Sequence, residues 1–220
     1  MPNASASHLS LWKKRLGRVP ESVWAETDLE TLVLAENDLS EVSERIGGLK
    51  KLRMLDLGHN KLARVPDTLV GLDCLADFLY LHDNQLTSLP PSLARLTKLR
   101  YLNISENRFE VLPECVCRMA SLIELRVSGN QLTSLPNSLG CLTRLRELHL
   151  RENSLTTLRE SIGSLPQLRH IDLRGNPLVH LPAALAALPR LEKLDLRWVE
   201  TIEPTPWIDT LEARGCLVYR

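Results

Sequence analysis

An asparagine returns along this chain at nearly constant steps. Asn37, Asn60, Asn84, Asn107, Asn130, Asn153 and Asn176 are separated by 23, 24, 23, 23, 23 and 23 residues. Around each runs L-x-x-L-x-L-x-x-N-x-L-x-x-L-P, best preserved in "LRELHLRENSLTTL" (145–158) and "LRHIDLRGNPLVHLP" (168–182). One such unit cannot bury its own Leu face, so a fixed period of this length requires neighbours to stack. Degenerate copies flank the array. "HLSLWKKRLGRVP" (8–20) carries Lys14 in the Asn place and "LEKLDLRWV" (191–199) carries Val199, for about nine coils in all.

The frame can be read physically. L-x-L is a short strand whose alternate side chains turn inward. The Leu two after each Asn and the Leu before Pro turn inward as the chain rounds its bend. The Asn amide both donates and accepts, so it can satisfy backbone groups that a buried turn would orphan. Aromatics are only 4% of the chain, and Leu, at about a fifth of it, supplies the core. Nine strands about 4.8 Å apart make an arc on the order of 40 Å long.

This pattern resembles the leucine-rich repeat family from about Leu9 to Leu196. The length with L-P in its second half is most similar to the intracellular subtype of bacterial and Ras-suppressor-like proteins. The resemblance implies an α/β repeat solenoid: a horseshoe with a concave parallel β-sheet and convex loops or short helical turns. It also implies a protein-recognition scaffold, not an enzyme. Three segments are expected: 1–28 as tail and degenerate capping coil, 29–190 as the repeats, and 191–220 as the degenerate last coil and C-terminal cap. Leu9, Leu11, Leu16, Val19, Val23 and Trp24 would build the first cap, with residues 1–7 frayed. At the other end "PTPWIDTLEARG" predicts a short helix, with Thr205 as N-cap, Pro206 in its first turn and Gly215 as its stop. Trp207, Ile208 and Leu211 would cover the last coil, and "CLVYR" would return extended.

Basic and acidic residues balance at 27 each, which leaves no electrostatic footprint for nucleic acid or anionic lipid. No run is long and apolar enough to span a membrane. The first residues place their charges after a weak apolar stretch, the wrong order for a signal peptide. Five cysteines, an odd number, do not form a secreted framework. A cytoplasmic monomer is therefore expected, with delivery into a host cell as the alternative the resemblance leaves open. The Asn-x-Ser matches at Asn3 and Asn103 are then chance.

Residues alternating with the frame should face solvent on the concave side, in three columns. The first runs His8, Thr31, Met54, Phe78, Tyr101, Glu124, Glu147, His170, Lys193. The second runs Ser10, Val33, Asp56, Tyr80, Asn103, Arg126, His149, Asp172, Asp195. The third runs Trp12, Ala35, Gly58, His82, Ser105, Ser128, Arg151, Arg174, Arg197. The chain has only two Phe and three Tyr, yet Phe78, Tyr80 and Tyr101 fall together here. Tyr and Arg are enriched in binding hot spots. Phe78, Tyr80, His82 and Tyr101 are expected as anchors for a protein partner, with Asn103, Arg126, His149 and Arg151 as polar contacts. Two other readings stand beside this one. Exposed strands favour aromatic residues for their β-propensity alone, and the charges from Glu124 onward can form solvated ladders of little consequence. An adaptor using the convex side or the end caps is the second functional reading, and a hydrolase or ligase the third.

The one 24-residue step comes from an extra residue at Ala76–Asp77–Phe78, as a bulge or a loop slip. Chemistry is sparse. Cys115 and Cys117 lack a second pair for zinc and read as buried thiols, as do Cys74 and Cys141; Cys216 is expected to be more accessible. His149, Asp172 and His170 could approach one another on adjacent strands, the one place that offers a metal site or a His–Asp couple, but no metal or cofactor is expected. Glu124 and Glu147 share a column, with Arg126 and Arg151 expected to neutralise them. "GGLKK" (47–51) is not a phosphate loop.

Overall fold

The computed structural model describes residues 7–200 and 205–220. Ten short parallel strands form one sheet in strict chain order. They are β1 (His8–Ser10), β2 (Thr31–Val33), β3 (Met54–Asp56), β4 (Phe78–Tyr80) and β5 (Tyr101–Asn103), then β6 (Glu124–Arg126), β7 (Glu147–His149), β8 (His170–Asp172), β9 (Lys193–Asp195) and β10 (Leu217–Tyr219). Each of the eight return paths between β1 and β9 holds a 3₁₀ turn, such as Asp67–Gly71 or Asn137–Cys141. In most coils the Pro of the L-P pair starts that turn. It needs no N–H there, and its carbonyl accepts the first bond, as Leu69 to Pro66 and Leu139 to Pro136 (3.1 Å each). Strands pack more closely than turns, so the sheet lines the concave side of the solenoid.

The Leu frame is the core. Strand residues Leu32, Leu55, Leu79, Leu102, Leu125 and Leu148 are fully buried, as are Leu39, Leu62, Leu86, Phe109, Leu132 and Leu155 two places after each Asn. The Asn ladder works in both directions. Asn130 Nδ2 donates to the carbonyls of Val127 (3.1 Å) and Ser128 (3.2 Å) in its own coil and Ile104 (3.1 Å) in the preceding one. Its Oδ1 accepts the N–H of Phe109 (3.0 Å), also in the preceding coil. The same set recurs at Asn107, Asn153 and Asn176.

One conformational column escaped the sequence pattern. Lys13, Glu36, His59, Asp83, Glu106, Gly129, Glu152, Gly175 and Trp198 all have φ between 49° and 65°. Each immediately precedes a ladder position. Only two are glycine, so the other coils pay about 1–2 kcal/mol of left-handed strain, offset by the ladder bonds. At Gly129 a side chain would also collide with the Glu106 carboxylate, 2.3 Å from a built Cβ.

The extra residue is absorbed at the strand entry. Arg100 N–H bonds Ala76 O (2.9 Å) instead of Asp77 O, so Ala76 bulges while Phe78 stays in register between Met54 and Tyr101. The ends differ from expectation in detail. Ser7 is not frayed, because its carbonyl accepts from Glu30 (2.7 Å) and Thr31 (3.0 Å). Expectations for residues 1–6, including Asn3, lie outside the described residues. The helix α1 spans Ile208–Ala213, starting later than Thr205 predicts. Pro206 and Trp207 form a preceding turn in which Thr205 O accepts from Ile208 (3.0 Å). Gly215 ends it at φ 88°, and "CLVYR" supplies β10 as a tenth strand on β9. Cys115 and Cys117 are buried as expected, but Cys74 and Cys141 are exposed, and Cys216 is buried. Leu75 and Leu142 take the inward positions beside Cys74 and Cys141, which turns those thiols out.

Asn130→Leu removes the acceptor of the Phe109 N–H and a donor shared by three carbonyls. It should cost at least about 2 kcal/mol in chemical denaturation, since each orphaned buried group costs about 1–3 kcal/mol. An unchanged midpoint would show that the ladder does not hold adjacent coils together.

Candidate functional site

The strand register aligns the first two columns, and the third follows just past the strand ends, where His59 N–H bonds His82 O (2.9 Å). Phe78 lies between Met54 and Tyr101, and Tyr80 between Asp56 and Asn103. None of the eight candidate contacts belongs to the core cluster. They form three groups rather than one.

The first is aromatic. Phe78 stacks on Tyr80 (centroids 5.9 Å, planes 11° apart), and Tyr101 packs against both, at 5.4 Å and 5.1 Å. Phe78 remains 41% exposed, so the rings cover one another more than the core covers them. Burial raises the Tyr80 hydroxyl and pushes Tyr101 up to about 12, so both stay neutral donors at physiological pH. His82 meets Tyr80 edge-on at 5.9 Å and His59 at 4.6 Å, while His59 Nδ1 lies 2.6 Å from Asp83 Oδ2. A side chain at position 58 would lie 2.3 Å from the His82 ring, so Gly58 leaves the space that ring occupies. Burial, aided by His59, holds His82 below its ordinary value, and its Nδ1 is buried without a partner among the described residues.

The second group joins Arg126 and His149 to two carboxylates. Arg126 Nε donates to Glu124 Oε1 (2.6 Å), and His149 Nε2 lies 3.5 Å from Glu124 and 3.4 Å from Glu147. Glu124, Glu147 and His149 have the spacing of metal ligands. Arg126, however, already pairs with the Glu124 carboxylate. Asp172 does not join His149 and turns instead to Arg174. Arg126 neutralises Glu124 as expected; Arg151 does not reach Glu147 but pairs with Glu152, and Glu147 faces His149 and His170. Burial, reinforced by Arg126, lowers His149 despite both glutamates.

The third group lies at the C-terminal end and was only partly visible in sequence. Arg151 and Arg174 sit over the Trp198 ring (5.6 and 5.8 Å), and Lys193 and Arg197 over Tyr219 (5.1 and 5.3 Å). Trp198 occupies the left-handed rim position, outside the three columns. Tyr219 belongs to a strand with no repeat motif. Asn103 has a structural duty as well: its Oδ1 accepts from Ser105 N–H (3.0 Å) at the strand exit. Asn103, Arg126, His149, Arg151, Asp172, Arg174 and Lys193 line a polar groove of about 480 Å³.

Ten parallel strands, their inward Leu frame and the amide ladder define a leucine-rich solenoid. The leucine rich repeat family matches over residues 5–62, 27–78, 77–132 and 143–198, and the chain belongs to that family. Fibromodulin of Oryctolagus cuniculus is 35% identical over 102 residues, covering 46% of this chain and 67% of the relative. A leucine-rich repeat protein of Leptospira interrogans superposes with TM-score 0.54 at 27% identity, covering 92% of this chain and 63% of that one. An ectodomain of the Arabidopsis thaliana receptor kinase GASSHO1/SCHENGEN3, solved with Casparian Strip Integrity Factor 2, superposes with TM-score 0.77 at 29% identity; it is covered over 25% of its length and covers 91% of this chain. No helix among the described residues is long and apolar enough to cross a membrane.

The two depressed histidines set a pH dependence. In the unfolded chain His82 and His149 take protons as pH falls through about 6.5; the fold resists protonating both. Stability should therefore be full well above that value and decline as pH falls through it. The Asp195 contribution is lost only below about pH 4. Melting temperatures should fall across the upper window, and His82→Gln with His149→Gln should flatten the slope. A level wild-type profile there contradicts the assignment.

Proposed function

We propose that this chain is a non-catalytic scaffold that takes a protein partner on its concave face. The observation that carries the reading is the patch of Phe78, Tyr80 and Tyr101. These rings pack on one another outside the core, with Phe78 exposed and Tyr80 and Tyr101 half-buried. Clustered exposed aromatics of this kind mark interaction sites, where Tyr joins large contact area to a directional hydroxyl. His82 completes the anchor set, and Asn103, Arg126, His149 and Arg151 provide polar contacts toward the groove. The Arabidopsis ectodomain is similar in fold over most of this chain and was solved with its own protein partner. The five free cysteines suit a reducing compartment, which favours a cytoplasmic location and the intracellular subtype.

An adaptor that works through the convex side or the caps is the competing reading. A groove of about 630 Å³ on the return path, lined in part by Trp24, Pro66 and Pro90, favours it.

Tyr80→Ala with Tyr101→Ala distinguishes the two. Both rings lie outside the Leu frame, so stability should shift by under about 1 kcal/mol. Loss of hot-spot aromatics commonly costs about 2 kcal/mol or more in binding, so partner capture should fall at least about 30-fold. Lys14→Ala is the control and should change neither. Capture of the same partner at wild-type affinity by the double variant would transfer the function to the convex side or the caps.

A further inference from the structure

The C-terminal end of the concave face is organised around one buried carboxylate. Asp195 accepts a two-pronged bond from Arg197, Nε at 2.9 Å and Nη2 at 2.8 Å. The same carboxylate lies 3.6 Å from Arg174 Nε and 3.9 Å from Lys193 Nζ. Arg174 also forks onto Asp172, at 2.8 and 2.6 Å. Three cations thus share two carboxylates, for a local charge of +1.

Depth matters more than the sum. The Asp195 and Asp172 side chains are 2% and 15% exposed, whereas Arg197 and Lys193 are 43% and 42% exposed. Arg174 is 22% exposed and sits deeper, but Arg197 and Lys193 lie outside Asp195, so a group approaching that acid meets their positive charge first. Burial would push Asp195 up, but hydrogen bonds from Arg197 and the neighbouring charges hold it down, so the anion that orients these cations persists. Each fork uses Nε and Nη2, and among the described residues no acceptor bonds the Nη1 of Arg174 or Arg197, which leaves those donors to turn toward a second anion. Exposed Trp198 and Tyr219 support the cations from the side and limit their motion.

We propose that this end of the face seats carboxylate side chains of an acidic, extended partner segment. The proposal rests on the concave-face reading for its geometry. From β5 to β9 is four strand steps, about 19 Å, which an extended chain covers in about six residues. The partner would place apolar side chains on Tyr80 and Tyr101 and acidic ones, about six residues away, against Lys193, Arg174 and Arg197.

The test uses fluorescein-labelled peptides of about ten residues and binding followed by anisotropy. One carries Trp-Leu followed about six residues later by Glu-Glu, a second has Lys-Lys in place of Glu-Glu, and a third has phosphoserine there. The Glu-Glu peptide should bind at least about 10-fold more tightly than the Lys-Lys peptide, and should weaken as salt rises from about 50 to about 300 mM. Lys193→Gln and Arg197→Lys should each weaken it at least about 5-fold; the first spares the buried pair, and the second keeps its charge, so neither needs to disturb folding. Equal binding of the Glu-Glu and Lys-Lys peptides, no binding to the wild-type chain, or indifference to both variants overturns the proposal. Preference for phosphoserine over Glu-Glu overturns the choice of carboxylate. If Tyr80→Ala with Tyr101→Ala leaves Glu-Glu binding unchanged while Lys193→Gln weakens it, the acidic site stands and the aromatic reading falls.

Discussion

The amide of each ladder asparagine belongs to two coils at once, and the rest of the structure depends on that double allegiance. Inner-turn carbonyls such as Ile104 O and Val127 O each accept from two amides, their own and that of the following coil. The oxygen of the same amide takes an N–H from the coil before. Every buried bend is therefore satisfied only when its neighbours are in place, which makes the array cooperative along one axis. The cost appears in the left-handed residue before each ladder position. Even Trp198 adopts that conformation, although bulky residues disfavour it.

Because the ladder and the Leu frame hold the fold, the alternating strand positions are free to carry chemistry. The concave face accordingly changes character along its length while the backbone repeats. Thr31, Val33, Met54 and Asp56 face out on β2 and β3, aromatic rings on β4 and β5, and ion pairs on the later strands. The zones still constrain one another locally. Gly58 leaves room for the His82 ring, and Asp195 gathers the cations of adjacent strands. Around Asp195 charge is layered, with that acid beneath Arg197 and Lys193, so the near-neutral sum of the zone hides an oriented surface there.

Much of this was legible in the sequence because the period is regular. The interval between asparagines sets the strand register, and the register sets the columns, so the clustering of Phe78, Tyr80 and Tyr101 followed from counting. Other features depend on where atoms meet, which counting does not reveal. The bulge at Ala76 leaves Phe78 in its column because one hydrogen bond moves back by a residue. Arg126, Arg174 and Arg197 fold back onto acids two places earlier in their own coils, although opposite charges on neighbouring strands had suggested ladders between coils. Cys74 and Cys141 sit beside frame leucines that outcompete them for the inward positions. Tyr219 was missed as a concave residue because β10 completes the sheet without any repeat motif.

Hydrogen exchange at the ladder amides tests the central claim most directly. The N–H groups of Leu62, Leu86, Phe109, Leu132 and Leu155 each donate to the Oδ1 of the asparagine in the next coil. If those bonds couple the coils, these five amides will exchange slowly, at similar rates, and only through the global unfolding measured by denaturation. Rapid exchange, or protection that varies from coil to coil without following global stability, would mean the solenoid stands on its Leu packing alone.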